Sequence, residues 1–258
     1  MMPTASVHIV RSLKMCCGCF FFGDYMKKLF NYFTKFEISL WCSSILFILI
    51  SILLFDRNNH FTLISSLVGG TSLILCAKGN PWGQVLMILF STFYGFTSYT
   101  FSYYGEMITY LCMTLPMSVI ALVSWLKNPY NGNRSEVKVS TLKRGECLFL
   151  CLLASIVTLI FYFVLDHFNT ANIIPSTISV TTSFVAVYLT YRISPYFALA
   201  YATNDVVLIV LWVLASITDI HYISVVVCFV AFLANDVYGF INWLRMKKRQ
   251  SYKQGKHA

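Results

Sequence analysis

The sequence is short of charge. Only 11% of its 258 residues are Asp, Glu, Lys or Arg, against 58% apolar residues and a mean hydropathy of +0.70. A water-soluble domain carries about 25% charged and about 45–50% apolar residues, so that class is excluded and most of the surface must face lipid. Catalytic signatures are missing too. There is no Walker-type phosphate loop, no metal-ligand cluster on a helix and no nucleophile with an orienting base, and His8, His60, His167, His221 and His257 all fall in expected loops or tails. An enzyme is disfavoured, and neither cofactor nor metal is expected. The apolar stretch Cys19 to Phe22 is too short for the core of a signal peptide, so the chain is expected to keep its N-terminus.

Nine cysteines do not make a disulfide framework: Cys42, Cys76, Cys112, Cys147, Cys151 and Cys228 are scattered singly through apolar runs, where they act as small hydrophobes. Cys16, Cys17 and Cys19 resemble half a metal site but lack a second Cys/His pair to close a tetrahedral shell. The abundant aromatics, 22 Phe and 16 Tyr, suit interfacial anchors or an aromatic-lined cavity, and composition does not choose between them.

A helix needs about 20 mostly apolar residues to cross the hydrocarbon. Spans are predicted near 39–55, 61–78, 83–102, 106–126, 147–165, 175–191, 197–217 and 222–244, an all-α membrane protein of about eight transmembrane helices. Turns fall at Arg57-Asn58-Asn59, Gly79-Asn80-Pro81, Gly105 and Ser194-Pro195. One longer connection, 127–146, contains Asn128-Pro129-Tyr130-Asn131-Gly132-Asn133 and halves the chain. The net charge of +9 gains meaning from its placement: alternating the loops puts eighteen Lys and Arg on one side and Arg57 alone on the other. That asymmetry predicts cytoplasmic termini in a multi-pass plasma-membrane protein. The basic tail 245–258 is then expected on anionic headgroups rather than on nucleic acid.

The chain also repeats itself. Leu75-Cys76-Ala77-Lys78-Gly79-Asn80-Pro81-Trp82 returns 114 residues later as Leu189-Thr190-Tyr191-Arg192-Ile193-Ser194-Pro195-Tyr196. Ser124-Trp125-Leu126-Lys127 returns 118 residues later as Asn242-Trp243-Leu244-Arg245. An offset of four helices keeps the halves in the same orientation, so the reading is a 3+1+3 parallel repeat. Its parts are a cytoplasmic arm (1–38), an extra N-terminal helix (39–55), a first repeat (61–126), a loop and linker helix (127–165), a second repeat (175–244) and the tail.

Ionisable groups at membrane depth are candidates for function. Asn204-Asp205 and Asn235-Asp236 lie on consecutive spans, about 11 and 14 Å from the same edge at 1.5 Å per residue. The repeat puts Phe90-Ser91 and Met117-Ser118 at the matching positions, so the acidic cluster is expected in the second half alone. The pairs either contact a ligand or ion, or clamp helices through hydrogen bonds. Gln84, Tyr94, Tyr99, Tyr238 and Trp243 are further candidate substrate contacts, while Trp125 and Trp243 also suit the interface as anchors. Pro116 should kink span four, and Glu106, at the external start of that span, is expected to be solvated.

The runs Ala77-Lys78-Gly79, Tyr103-Tyr104-Gly105-Glu106 and Trp125-Leu126-Lys127-Asn128 resemble the first half of PnuC-type vitamin transporters. Thr181-Thr182-Ser183, Tyr191-Arg192, Asn204, Asn235 and Trp243 resemble their second half, and the likeness covers roughly residues 60–248. It implies a SWEET-like bundle, a trimer, and facilitated diffusion of nicotinamide riboside trapped inside by a cytoplasmic kinase. One departure is Ala200, where nicotinamide riboside members tend to carry Trp four residues before the span-seven Asn. Thiamine or riboflavin therefore stays open as substrate, as does a non-transporting module in which the Asn-Asp pairs are only clamps. On physical grounds a flat cation suits Tyr faces and a buried carboxylate. A nucleotide does not, since no Lys or Arg lies in the helices at that depth to meet its phosphate.

Overall fold

The computed structural model describes residues 32–57, 59–101, 103–170 and 172–255; Cys16, Cys17 and Cys19 lie outside them. Its long helices are α1 (Lys35–Phe55), α2 (His60–Ala77), α3 (Trp82–Thr100), α4 (Tyr104–Lys127), α5 (Arg144–His167), α6 (Ile173–Tyr191), α7 (Phe197–Ser216) and α8 (Ile223–Gly255). All but α3 are long and apolar enough by composition to cross a membrane. Helix α3 has a span's length, but its hydropathy is diluted by Gln84, Ser91, Thr97 and Ser98, which are buried in the bundle rather than turned to lipid. The eight spans expected from the sequence are thus the eight helices observed.

The described residues fall into two units, 32–40 and 41–255, divided within α1. In the first, Thr34 and Glu37 make a reciprocal capping box: Glu37 Oε2 accepts from the Thr34 N–H (2.6 Å) and Thr34 Oγ1 from the Glu37 N–H (3.2 Å). The second holds the bundle.

The repeat is written into the packing. Helix α2 packs on α3 and α8, α3 on α4, and in the other half α6 packs on α7 and α4, α7 on α8. Exchanging α2 for α6, α3 for α7 and α4 for α8 reproduces this pattern, and α5 rests on α6 as the linker. Hydrogen bonds repeat likewise. The Trp125 indole N–H donates to the Thr190 carbonyl (2.9 Å) and the Trp243 indole N–H to the Cys76 carbonyl (2.8 Å). Beside them, the Ser124 hydroxyl donates to the Tyr191 carbonyl (2.9 Å) and the Asn242 amide to the Ala77 carbonyl (2.8 Å). Each half thereby satisfies the last carbonyls of the other half's first helix, groups that a helix end leaves without a partner.

Those helix ends close alike. Asn80 N–H reaches back to the Leu75 carbonyl and Ser194 N–H to the Leu189 carbonyl, around Gly79 (φ +66°) and Ile193 (φ +54°). Glycine suits this left-handed turn. A β-branched residue there is strained, and Ile193 is held by burial among Leu189, Phe197 and Trp125.

Two features depart from the sequence reading. Residues 127–146 are not plain loop: β1 (Pro129–Tyr130) pairs antiparallel with β2 (Asn133–Val137) around Asn131 and Gly132, both at positive φ, as a tight hairpin requires. The strap running on from the hairpin spans both repeats, with Val137 N–H donating to Gly79 O (3.1 Å) and Ser140 N–H to Ile193 O (3.0 Å). The expected tail is also helical, because α8 continues to Gly255 and Gln250 bonds to Glu136, Val137 and Val139 of the strap. Pro116 follows a π-helical segment, Thr109–Thr114, an irregularity of the kind that accompanies a kink at proline.

Candidate functional site

Two aromatic clusters fill the bundle. At the end carrying Lys78, Lys127 and Arg192, Trp125, Trp243 and Phe197 pack together, with the indoles 5.5 Å apart. Toward the other end Phe90, Tyr94, Tyr110, Trp212, Phe229 and Phe232 interlock edge to face, the Tyr94 and Tyr110 rings 4.4 Å apart. Between them lies a polar layer.

Its narrow cavity is lined by Tyr110 of α4, Tyr201, Asn204 and Asp205 of α7, and Phe232 and Asp236 of α8, among others. The volume is about 20 Å³, room for about one water. A larger solute therefore requires the lining rings to rotate or the helices to part. Gly69 of α2 marks how tightly it is closed: a Cβ there would meet the Phe232 ring at 2.4 Å and the Phe90 ring at 2.9 Å.

All four residues of the Asn-Asp pairs are buried, and Asn204, Asp205 and Asp236 line the cavity while Asn235 does not. Asn204 Oδ1 accepts from three α6 hydroxyls, Thr182 (2.7 Å), Ser183 (3.1 Å) and Ser179 (3.4 Å), which leaves its NH2 as the group with which to donate. Asn235 is the converse. Its Nδ2 donates to Ser44 Oγ (2.8 Å) and to the Ala231 carbonyl (2.7 Å), while its Oδ1 is buried without a partner. The extra N-terminal helix thus orients a candidate site residue through Ser44. Asp205 and Asp236 both line the cavity, and Asp205 Oδ2 is buried without a hydrogen-bond partner among the described residues.

The other candidates disperse. Tyr94 stands behind the lining, stacked on Phe90, with its hydroxyl accepting from the Trp212 indole (3.0 Å). Gln84 is buried and donates to Cys76 Sγ (3.4 Å). Tyr238 is half-buried on α8 and is not part of the cavity lining. Tyr99 is 57% exposed on the outer surface, beyond reach of the cavity. Trp243 and Trp125 are fully buried and bonded to helix-end carbonyls, which corrects their reading as interfacial anchors.

The largest correction concerns Glu106. Expected in solvent, it is 1% exposed, and neither carboxylate oxygen has a hydrogen-bond partner among the described residues. The acidic set is therefore not confined to the second half. Tyr110 and Tyr201 were also missed, although their spacing carried the information: Tyr110 is one turn after Glu106, and Tyr201 three residues before Asn204 on the same face. Ala200 lies in a different place, an outward groove with Thr181, Thr182 and Thr203. Ala200 is not among the residues that line the central cavity.

The model of the nicotinamide mononucleotide transporter family matches residues 59–245. The chain belongs to this family. Among its relatives, the nicotinamide riboside transporter PnuC of Neisseria mucosa is 26% identical over 230 residues, covering 87% of each chain. The crystal structure of the vitamin B3 transporter PnuC shares the fold at a TM-score of 0.76 with 22% identity, covering 88% of this chain and 97% of that one. Membership in this transporter family accords with the multi-pass helices and the parallel repeat.

Proposed function

We propose that the chain carries nicotinamide riboside down its gradient through the central cavity. One observation carries the reading: the cavity joins Tyr rings to the Asp205–Asp236 pair and contains no Lys or Arg among its lining residues. A flat cation is attracted to both features, by about 0.5–2 kcal/mol for each ring face it meets. One asparagine sharpens the choice. Asn204, in the lining, is left to donate, as to a carboxamide oxygen, while Asn235 lies outside the lining beside Asp236 with an unpartnered acceptor oxygen. Thiamine lacks the carboxamide and riboflavin lacks the positive charge. A mononucleotide, which the family's name suggests, would bring a phosphate to a site without a cation to receive it. The Neisseria mucosa relative is named for the riboside, in keeping with this reading.

Transport proceeds by alternating access. The two aromatic clusters close the polar layer from both ends, and rocking of one repeat against the other opens each in turn. The Lys- and Arg-rich end and both termini face the cytoplasm of a plasma membrane by the charge rule. There a kinase that phosphorylates the riboside keeps uptake inward, and three copies assemble as a trimer. Asn204 bonds to α6 hydroxyls as well as facing the cavity, while Asn235 bonds to Ser44 of α1.

The test is uptake of labelled nicotinamide riboside into proteoliposomes of the purified protein, with the mononucleotide, thiamine and riboflavin as competitors. Saturable uptake competed only by the unlabelled riboside is expected. Uptake competed by thiamine or riboflavin would transfer the same site to that vitamin, and no flux of any of them would overturn the transport reading.

A further inference from the structure

Glu106 belongs to no function described so far. It stands in the first turn of α4, fully buried, with both oxygens unpartnered. A carboxyl group placed so at membrane depth is costly unless something meets it. Its surroundings are aromatic. Tyr94 and Tyr110 lie within its electrostatic reach, their rings 4.4 Å apart. Tyr110 follows Glu106 by four residues, hence on the same helix face, and is also part of the cavity lining with Asp205 and Asp236. Glu106 is thus one helical turn, about 6 Å, farther from the basic end than the cavity. The first turn of α4 packs on α6, whose Ser179 hydroxyl donates to Asn204 Oδ1.

We propose that Glu106, with the faces of Tyr94 and Tyr110, forms a second cation subsite that receives the positively charged ring of the substrate before it reaches the Asp205–Asp236 layer. The proposal rests on the substrate class argued above. It adds a cause for selectivity: a cation entering from the side opposite the basic loops is held by Glu106, passes Tyr110 and is handed to the inner carboxyl pair. A neutral molecule of the same shape gains nothing from Glu106.

The experiment compares binding of nicotinamide riboside with binding of its uncharged dihydropyridine form, by calorimetry on purified wild type, Glu106→Gln and Glu106→Asp. Glu106→Gln removes the charge while keeping the shape, and should weaken the cation by about tenfold or more, the scale of a desolvated charge contact. The neutral form should bind all three proteins within about twofold, and Glu106→Asp should keep the preference for the cation. A cation affinity unchanged in Glu106→Gln, or equal losses for both forms, overturns the subsite while leaving the transport reading intact. If wild type binds neither form, both readings fall. A melting temperature unchanged or raised in Glu106→Gln shows that the loss is not unfolding, because the variant replaces a buried carboxyl group that has no hydrogen-bond partner to lose.

Discussion

Replacing Trp125 and Trp243 separately by Phe should destabilise the protein equally, and neither change should weaken substrate binding. The reasoning starts from the reciprocal bonds, 2.9 Å from Trp125 to the Thr190 carbonyl and 2.8 Å from Trp243 to the Cys76 carbonyl. An interhelical hydrogen bond in a membrane protein contributes about 0.6–1.7 kcal/mol. Trimming a fully buried indole to a phenyl ring leaves a gap in a packed cluster, worth about 1 kcal/mol more. Each variant should therefore lose about 2 kcal/mol. Because the indole rings are 5.5 Å apart, the double variant should depart from additivity by about 0.5 kcal/mol or more. Unfolding in SDS followed by circular dichroism measures all three. A difference of more than about 1.5 kcal/mol between the single variants would refute the symmetry argument. Uptake decides the role of Trp243 independently: a riboside KM within about twofold of wild type is expected, and a rise of about tenfold in Trp243→Phe alone would return this ring to the substrate site.

Asn204→Ala should abolish uptake at little cost in melting temperature, since Thr182 already donates to the carbonyls of Ile178 and Ser179 and its hydroxyl is not stranded; a large drop in melting temperature with flux retained would make Asn204 a clamp alone. Asn235→Ala should abolish uptake and also be mimicked in part by Ser44→Ala, which removes the oxygen that orients Asn235; full activity in Ser44→Ala would deny α1 that role. Gly79→Ala should destabilise by about 1–2 kcal/mol because of its left-handed backbone, and its new Cβ would also press on Met246 at 3.0 Å; thermal unfolding with no shift would contradict the reading of this turn.

The spans were legible in the sequence because membrane crossing is a one-dimensional property. Length and hydropathy place a helix in lipid whatever surrounds it, and alternating loops then accumulate positive charge on one side. The repeat was legible for a similar reason, since the offsets of 114 and 118 residues that match turn to turn and Trp125 to Trp243 are distances along the chain. The similar depth expected of Asn204 and Asn235 came from counting residues along two helices. Even the hairpin had its signal in Asn131-Gly132, overlooked within a bundle otherwise all helix.

What the tertiary structure decided was direction. A helix fixes the depth of a side chain, but its neighbours determine whether that side chain meets lipid, protein or a cavity. Glu106 stands near a helix start, where water is the ordinary partner, yet α4 turns it inward. Trp243 has the depth of an interfacial anchor, and only the approach of α2 shows that its indole closes a helix end. Ser44 and Asn235 are 191 residues apart, and nothing along the chain joins them until α1 packs against α8.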